Sequence, residues 1–149
     1  MILSLTAACV LVLGLAVVIW MRRTRERDEV EQHSITPEAL HALLAQSHEV
    51  VVFDVRQPLD LLANAEIIPG AKRMFPKEVL EKPSLIPKDK DLVVYCTCPG
   101  EKTSREVWHQ ARTLNLFRVR FLKGGLAAWK ASGYPVEPYQ ESFHLDTRT

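Results

Sequence analysis

Apolar positions are unevenly spread along the chain. From Ile2 to Met21 there is no charged side chain. A helix of that length, rising ~1.5 Å per residue, reaches ~30 Å, the thickness of a bilayer's hydrocarbon core. The run therefore predicts a transmembrane helix over residues 2–21. Arg22, Arg23, Arg25 and Arg27 follow it and no basic residue precedes it. That asymmetry predicts a single-pass protein of the inner or plasma membrane, with its C-terminal side cytoplasmic. A cleaved signal peptide fits less well: the positive leading segment is missing, and arginines stand where small residues should mark a cleavage site. Residues 22–33 read as a charged linker, residues 34–139 as the folded domain, and residues 140–149 as a polar tail.

Within the folded domain the pattern alternates between solid apolar runs and amphipathic stretches. Thr36-Pro37-Glu38 is a helix start, with a cap, a proline in the first turn and an acid beside it. Leu40, Leu43 and Leu44 form the stripe of that helix. Val50-Val51-Val52-Phe53, Leu92-Val93-Val94-Tyr95 and Val119-Arg120-Phe121-Leu122 have strand length and β-branched or aromatic content. Ala71 to Met74 is a shorter candidate. Helical stretches lie over 76–80, 104–114 and 126–132, the last closed by Gly133. Such alternation predicts an α/β domain whose parallel sheet is covered on both faces. In such sheets, sites form beyond the carboxyl ends of the strands. The segments after Phe53, Tyr95 and Leu122 are therefore the places to look for chemistry.

Composition narrows the class. The chain has 149 residues, 47% hydrophobic and 25% charged, which excludes a disordered chain. A formal net charge of +1 offers no overall basis for binding nucleic acid. Three cysteines are too few for a disulfide scaffold.

Two of those cysteines stand after Tyr95, in Cys96-Thr97-Cys98-Pro99-Gly100-Glu101-Lys102-Thr103-Ser104-Arg105. A buried strand ends, and a short polar loop leads to a helix capped by Thr103 or Ser104. Free backbone N–H groups and the positive end of the helix dipole favour a thiolate there. The same donors suit a persulfide or an oxyanion, and Lys102 and Arg105 add positive charge. The pattern is that of a nucleophilic thiol. Asp54 and Arg56 lie at a neighbouring strand end and can support the loop as an ion pair. Gly124 and Gly125 allow a tight turn beside it.

Three segments in this order resemble the rhodanese-like domain. They are Asp54-Val55-Arg56 with Ile68-Pro69-Gly70-Ala71, then Val93-Val94-Tyr95-Cys96 with its loop, then Leu122-Lys123-Gly124-Gly125-Leu126-Ala127-Ala128-Trp129 with Gly133-Tyr134-Pro135-Val136. The resemblance spans about residues 35–138. It implies a small, mostly parallel sheet of about five strands with helices on both faces. It also implies a sulfurtransferase or sulfur carrier. A cysteine would take sulfane sulfur from a donor such as thiosulfate, hold it as a persulfide, and pass it to a thiol or other thiophilic acceptor. No metal or organic cofactor is implied. The backbone from Thr97 through Gly100, Glu101, Lys102, Thr103 and Ser104 would cradle the persulfide.

The loop departs from the family pattern. Counting back from Thr103 selects Cys98 as the nucleophile. The junction with the strand selects Cys96, and Pro99 removes one amide donor from a cradle built on Cys98. Both remain candidates. Glu66-Ile67 replaces the glycine-histidine pair common before Ile-Pro-Gly-Ala, and an insertion lies around residues 62–66. Cys96, Cys98 and His109 lack a fourth partner for a metal site. An arsenate-reductase-like or phosphatase-like enzyme needs an arginine inside the loop. The competing reading is a non-catalytic binding module tethered to the membrane, with a membrane-associated protein as partner.

Overall fold

The computed structural model describes residues 2–46, 49–97, 102–116 and 118–140. They fall into two units, Met1–His33 and Ser34–Thr149. The first unit is one helix, α1 (Ile2–His33), so the charged segment from Arg22 onward continues the same helix.

Among the described residues, no helix is long and apolar enough to cross a membrane. This corrects the expected anchor over residues 2–21, and with it the single-pass inner- or plasma-membrane location with a cytoplasmic domain. The described side chains of α1 are apolar from Val10 to Met21. Arg22, Arg23, Arg25, Glu26 and Arg27 then follow on the helix.

The second unit is an α/β domain. It begins with β1 (Ser34–Ile35) and α2 (Pro37–Gln46), followed by β2 (Val50–Asp54) and α3 (Pro58–Ala63). Next come β3 (Glu66–Ile67), β4 (Lys72–Arg73), α4 (Glu78–Glu81) and a 3₁₀ turn at Pro83–Leu85. The remaining elements are β5 (Asp91–Tyr95), α5 (Lys102–Thr113), β6 (Val119–Leu122), α6 (Gly125–Ala131) and β7 (Glu137–Pro138). Five strands form a sheet in the order β1-β6-β5-β2-β4, and every neighbouring pair is parallel. β3 and β7 make a separate antiparallel pair.

The three expected apolar runs are the inner strands β2, β5 and β6. Their pleat sorts side chains onto two faces. Val52, Val93, Tyr95 and Leu122 form one buried cluster with Leu40 of α2 and Leu126 and Trp129 of α6. Phe53, Leu92, Val94 and Phe121 alternate with them and are also buried. α5 lies against β5 and β6, and its buried residues Val107, Trp108 and Ala111 lie outside that cluster. α5 therefore covers the other face. The predicted cap of α2 is present: the Ala39 N–H donates to Thr36 Oγ1 at 3.3 Å.

Candidate functional site

Register brings the carboxyl ends of β5, β2 and β4 together. Tyr95 stands opposite Asp54, and Asp54 stands opposite Arg73. Cys96 follows directly. Cys96 is buried, at 2% exposure. The Val55 N–H donates to the Tyr95 carbonyl at 3.0 Å. The Leu126 N–H donates to the Cys96 carbonyl at 3.2 Å. The main chain on both sides of the β5 terminus is thus held by neighbouring elements.

The close approach to Leu126 depends on Gly124 and Gly125, with φ of 73° and 57°. A Cβ on Gly125 would overlap the Cys96 carbonyl oxygen, and one on Gly124 would overlap the Ala128 Cβ. Both glycines thus form a left-handed turn, with Gly124 packed against Ala128 and Gly125 against the Cys96 backbone.

Asp54 and Arg56 form an ion pair beneath the site. Arg56 Nη2 donates to Asp54 Oδ2 at 2.6 Å, and its Nε donates to both carboxylate oxygens at 3.0 Å. The Arg56 backbone N–H adds a fourth bond to Oδ1. The rest of the guanidinium donates to the carbonyls of Asn64 and Glu66, each at 2.8 Å. Arg56 thereby ties the segment around residues 62–66 to the sheet. Burial pulls the Arg56 pKa down, but the hydrogen bonds and charge of Asp54 outweigh it and raise the value.

Tyr95 belongs to the same network. The Ile68 N–H donates to its hydroxyl at 3.3 Å. Burial and the negative charge of Asp54 hold the phenol well above its ordinary pKa. Neither Tyr95 nor Arg73 is recognisable as a site residue in the sequence. Arg73 follows Lys72 in a charged pair, and only the pairing of β4 with β2 carries its side chain to Asp54.

The remaining expected residues divide. Thr97 is exposed just past Cys96. Lys102, Thr103, Ser104 and Arg105 form the first turn of α5, with Lys102 exposed and Ser104 buried. Among the described residues the Ser104 hydroxyl has no hydrogen-bond partner. Cys98, Gly100 and Glu101 lie outside the described residues. Among the described residues, no group of three or more His, Cys, Asp or Glu is placed to hold a metal ion.

A known family matches within this second unit. The rhodanese-like domain matches residues 36–132. The chain belongs to the rhodanese-like domain family. A protein of Allochromatium vinosum named sulfurtransferase is 30% identical over 104 residues, covering 70% of this chain and 94% of that relative. An uncharacterized protein of Synechocystis sp. is 31% identical over 103 residues, covering 69% of this chain; the chain spans only 55% of that relative's length. Among solved structures, the rhodanese-like domain of the Anabaena sp. protein Alr3790 is 27% identical with a TM-score of 0.60, covering 78% of this chain and 83% of that one. A Lactobacillus plantarum protein reaches a TM-score of 0.67 at 22% identity, covering 78% of this chain and 97% of that one; at that identity it speaks for the fold alone. The rhodanese-like membership supports a sulfurtransferase-type role and agrees with the expected parallel five-stranded fold.

Proposed function

We propose that this domain is a sulfurtransferase or sulfur carrier working through a cysteine of the segment after β5. The observation that carries the reading is the placement of Cys96 at the carboxyl end of the middle strand, ahead of α5, in a rhodanese-like domain whose relative is named sulfurtransferase. In the proposed step the cysteine thiolate attacks the sulfane sulfur of thiosulfate. The donor's S–S bond breaks and sulfite leaves with the electron pair. The cysteine is then a persulfide. An acceptor thiolate attacks the outer sulfur, takes it, and regenerates the cysteine thiolate.

Roles follow for the surrounding residues. The backbone of Thr97 to Ser104 and the start of α5 stabilise the persulfide anion, with Lys102 and Arg105 adding positive charge. Asp54 and Arg56 support the strand ends from below. Gly124 and Gly125 admit the Leu126 N–H to the Cys96 carbonyl. The carrier is Cys96 or Cys98.

Intact mass spectrometry after incubation with thiosulfate tests this. The full chain gains the mass of one sulfur atom, and one of Cys96→Ala and Cys98→Ala fails to gain it. The variant without the adduct names the carrier. Absence of an adduct with thiosulfate, mercaptopyruvate and polysulfide alike overturns sulfur transfer in favour of a non-catalytic binding module.

A further inference from the structure

Register places a lysine beside the candidate cysteine. β6 pairs with β5 so that Phe121 stands opposite Val94, and two steps further along Lys123 comes level with Cys96. The pairing of this chain with β1 still holds at that step, because the Lys123 N–H donates to the Ile35 carbonyl at 2.9 Å. The turn that follows folds back on the same cysteine, with the Leu126 N–H on the Cys96 carbonyl and Gly125 against the Cys96 backbone. Neighbouring strands run ~4.8 Å apart, a gap that a lysine's four-carbon stem spans. Lys123 is exposed, as is Thr97, the residue after Cys96. The two cations before it in the chain are committed elsewhere: Arg118 and Arg120 both pair with Asp91, at the opposite end of β5. Asp54, the carboxylate at the neighbouring strand end, is spent on Arg56 and Arg73. Among the described residues, the Lys123 ammonium has no hydrogen-bond or ion-pair partner.

We propose that Lys123 is a specificity residue of this site: its ammonium holds the anionic group of the sulfur donor, so that sulfonate-bearing donors such as thiosulfate are used in preference to neutral ones. The inference rests on the sulfur-transfer reading above. A thiolate and a dianionic donor repel each other, and a cation beside the thiol offsets that repulsion. In the transfer step the thiolate takes the outer sulfur, the S–S bond breaks, and sulfite leaves with the electron pair. The sulfonate end is therefore negative before, during and after the step. Lys123 holds it equally in ground state and transition state, so it acts on donor affinity and not on the limiting rate. The three N–H donors of an ammonium suit the three oxygens of a sulfonate.

The test compares the full chain with Lys123→Gln and Lys123→Arg, exposed substitutions that cost folding little. Each protein reacts with anionic 2-sulfonatoethyl methanethiosulfonate and with neutral methyl methanethiosulfonate. Labelling is followed by mass spectrometry on the peptide that carries Cys96 and Cys98. Lys123→Gln slows the anionic reagent about fivefold at low salt, the worth of one unit charge at ~4 Å in water, and leaves the neutral reagent unchanged. Lys123→Arg keeps the anionic rate, and ~1 M sodium chloride closes the gap between the proteins. With thiosulfate, Lys123→Gln raises the concentration needed for half-maximal persulfide formation by at least as much, at an unchanged limiting rate. A ratio of anionic to neutral rates that Lys123→Gln leaves unchanged overturns the proposal, as does a loss confined to the limiting rate with thiosulfate. Should thiosulfate give no persulfide in any of the three proteins, the sulfur-transfer reading falls, while the reagent ratio still decides the role of Lys123.

Discussion

Gly125 leaves no room for a side chain, because a Cβ there would overlap the Cys96 carbonyl oxygen. Its φ of 57° adds a conformational penalty for any other residue. Left-handed backbone costs roughly 1–2 kcal/mol and the overlap roughly 1–3 more. Gly125→Ala is therefore expected to lose about 3 kcal/mol in urea unfolding and to slow persulfide formation, since relief of the clash displaces Cys96. An alanine variant of wild-type stability contradicts the close approach. At this scale the Asp-x-Arg motif is legible because both ends of its ion pair lie two residues apart, and the Gly-Gly pair because two adjacent glycines mark a tight turn, although what Gly125 approaches, the Cys96 carbonyl, is distant in sequence. Arg73 is not legible. In sequence it is the second half of a Lys-Arg dipeptide, and a charge at a short strand reads as a solvated edge. Its burial comes from contact with Asp54, nineteen positions away.

Elements divide by the same logic. β2, β5 and β6 are buried on both faces, so each shows as a mostly apolar run, broken in β6 by the half-buried Arg120. β1, β3, β4 and β7 are two residues each, too short for any periodicity to appear. Long-range contacts create them. The connection between α6 and β7 shows how. Trp129, 1% exposed, donates from Nε1 to the Pro135 carbonyl at 2.8 Å, and Tyr134 packs on its ring. Lys130 pairs with Glu66, and the Tyr139 N–H donates to the Ala65 carbonyl at 2.7 Å. The segment after α6 is thus strapped to β3. Trp129→Phe removes the indole donor and part of the ring volume, and is expected to lower stability by about 2 kcal/mol. The readout is a lower urea midpoint with an unchanged slope; an unchanged midpoint would mean that the strap holds without Trp129.

For the molecule as a whole, the buried network links stability to alkaline pH. Tyrosine in an unfolded chain titrates near 10. Burial and Asp54 hold Tyr95 above that in the folded domain. The native state therefore keeps a proton that the unfolded chain releases. This contribution is complete below about pH 10 and is lost as pH rises through the folded value. Urea midpoints of the wild type are expected to fall above pH 10, and those of Tyr95→Phe to fall less steeply. At neutral pH the variant loses about 1 kcal/mol, the hydrogen bond from Ile68. Equal alkaline slopes would place the titration elsewhere.

The two margins of the sheet have a consequence for association between copies. A parallel sheet ends in unpaired backbone groups that can recruit a foreign strand. Here one margin is β4, two residues long and carrying Lys72 and Arg73; the other is β1, equally short. Neither offers a template for extension. β6, with Phe121 and Leu122 fully buried, lies just inside β1. Cutting the chain after Ile35 would turn β6 into a bare, apolar margin, and the trimmed domain would be prone to stack strand on strand.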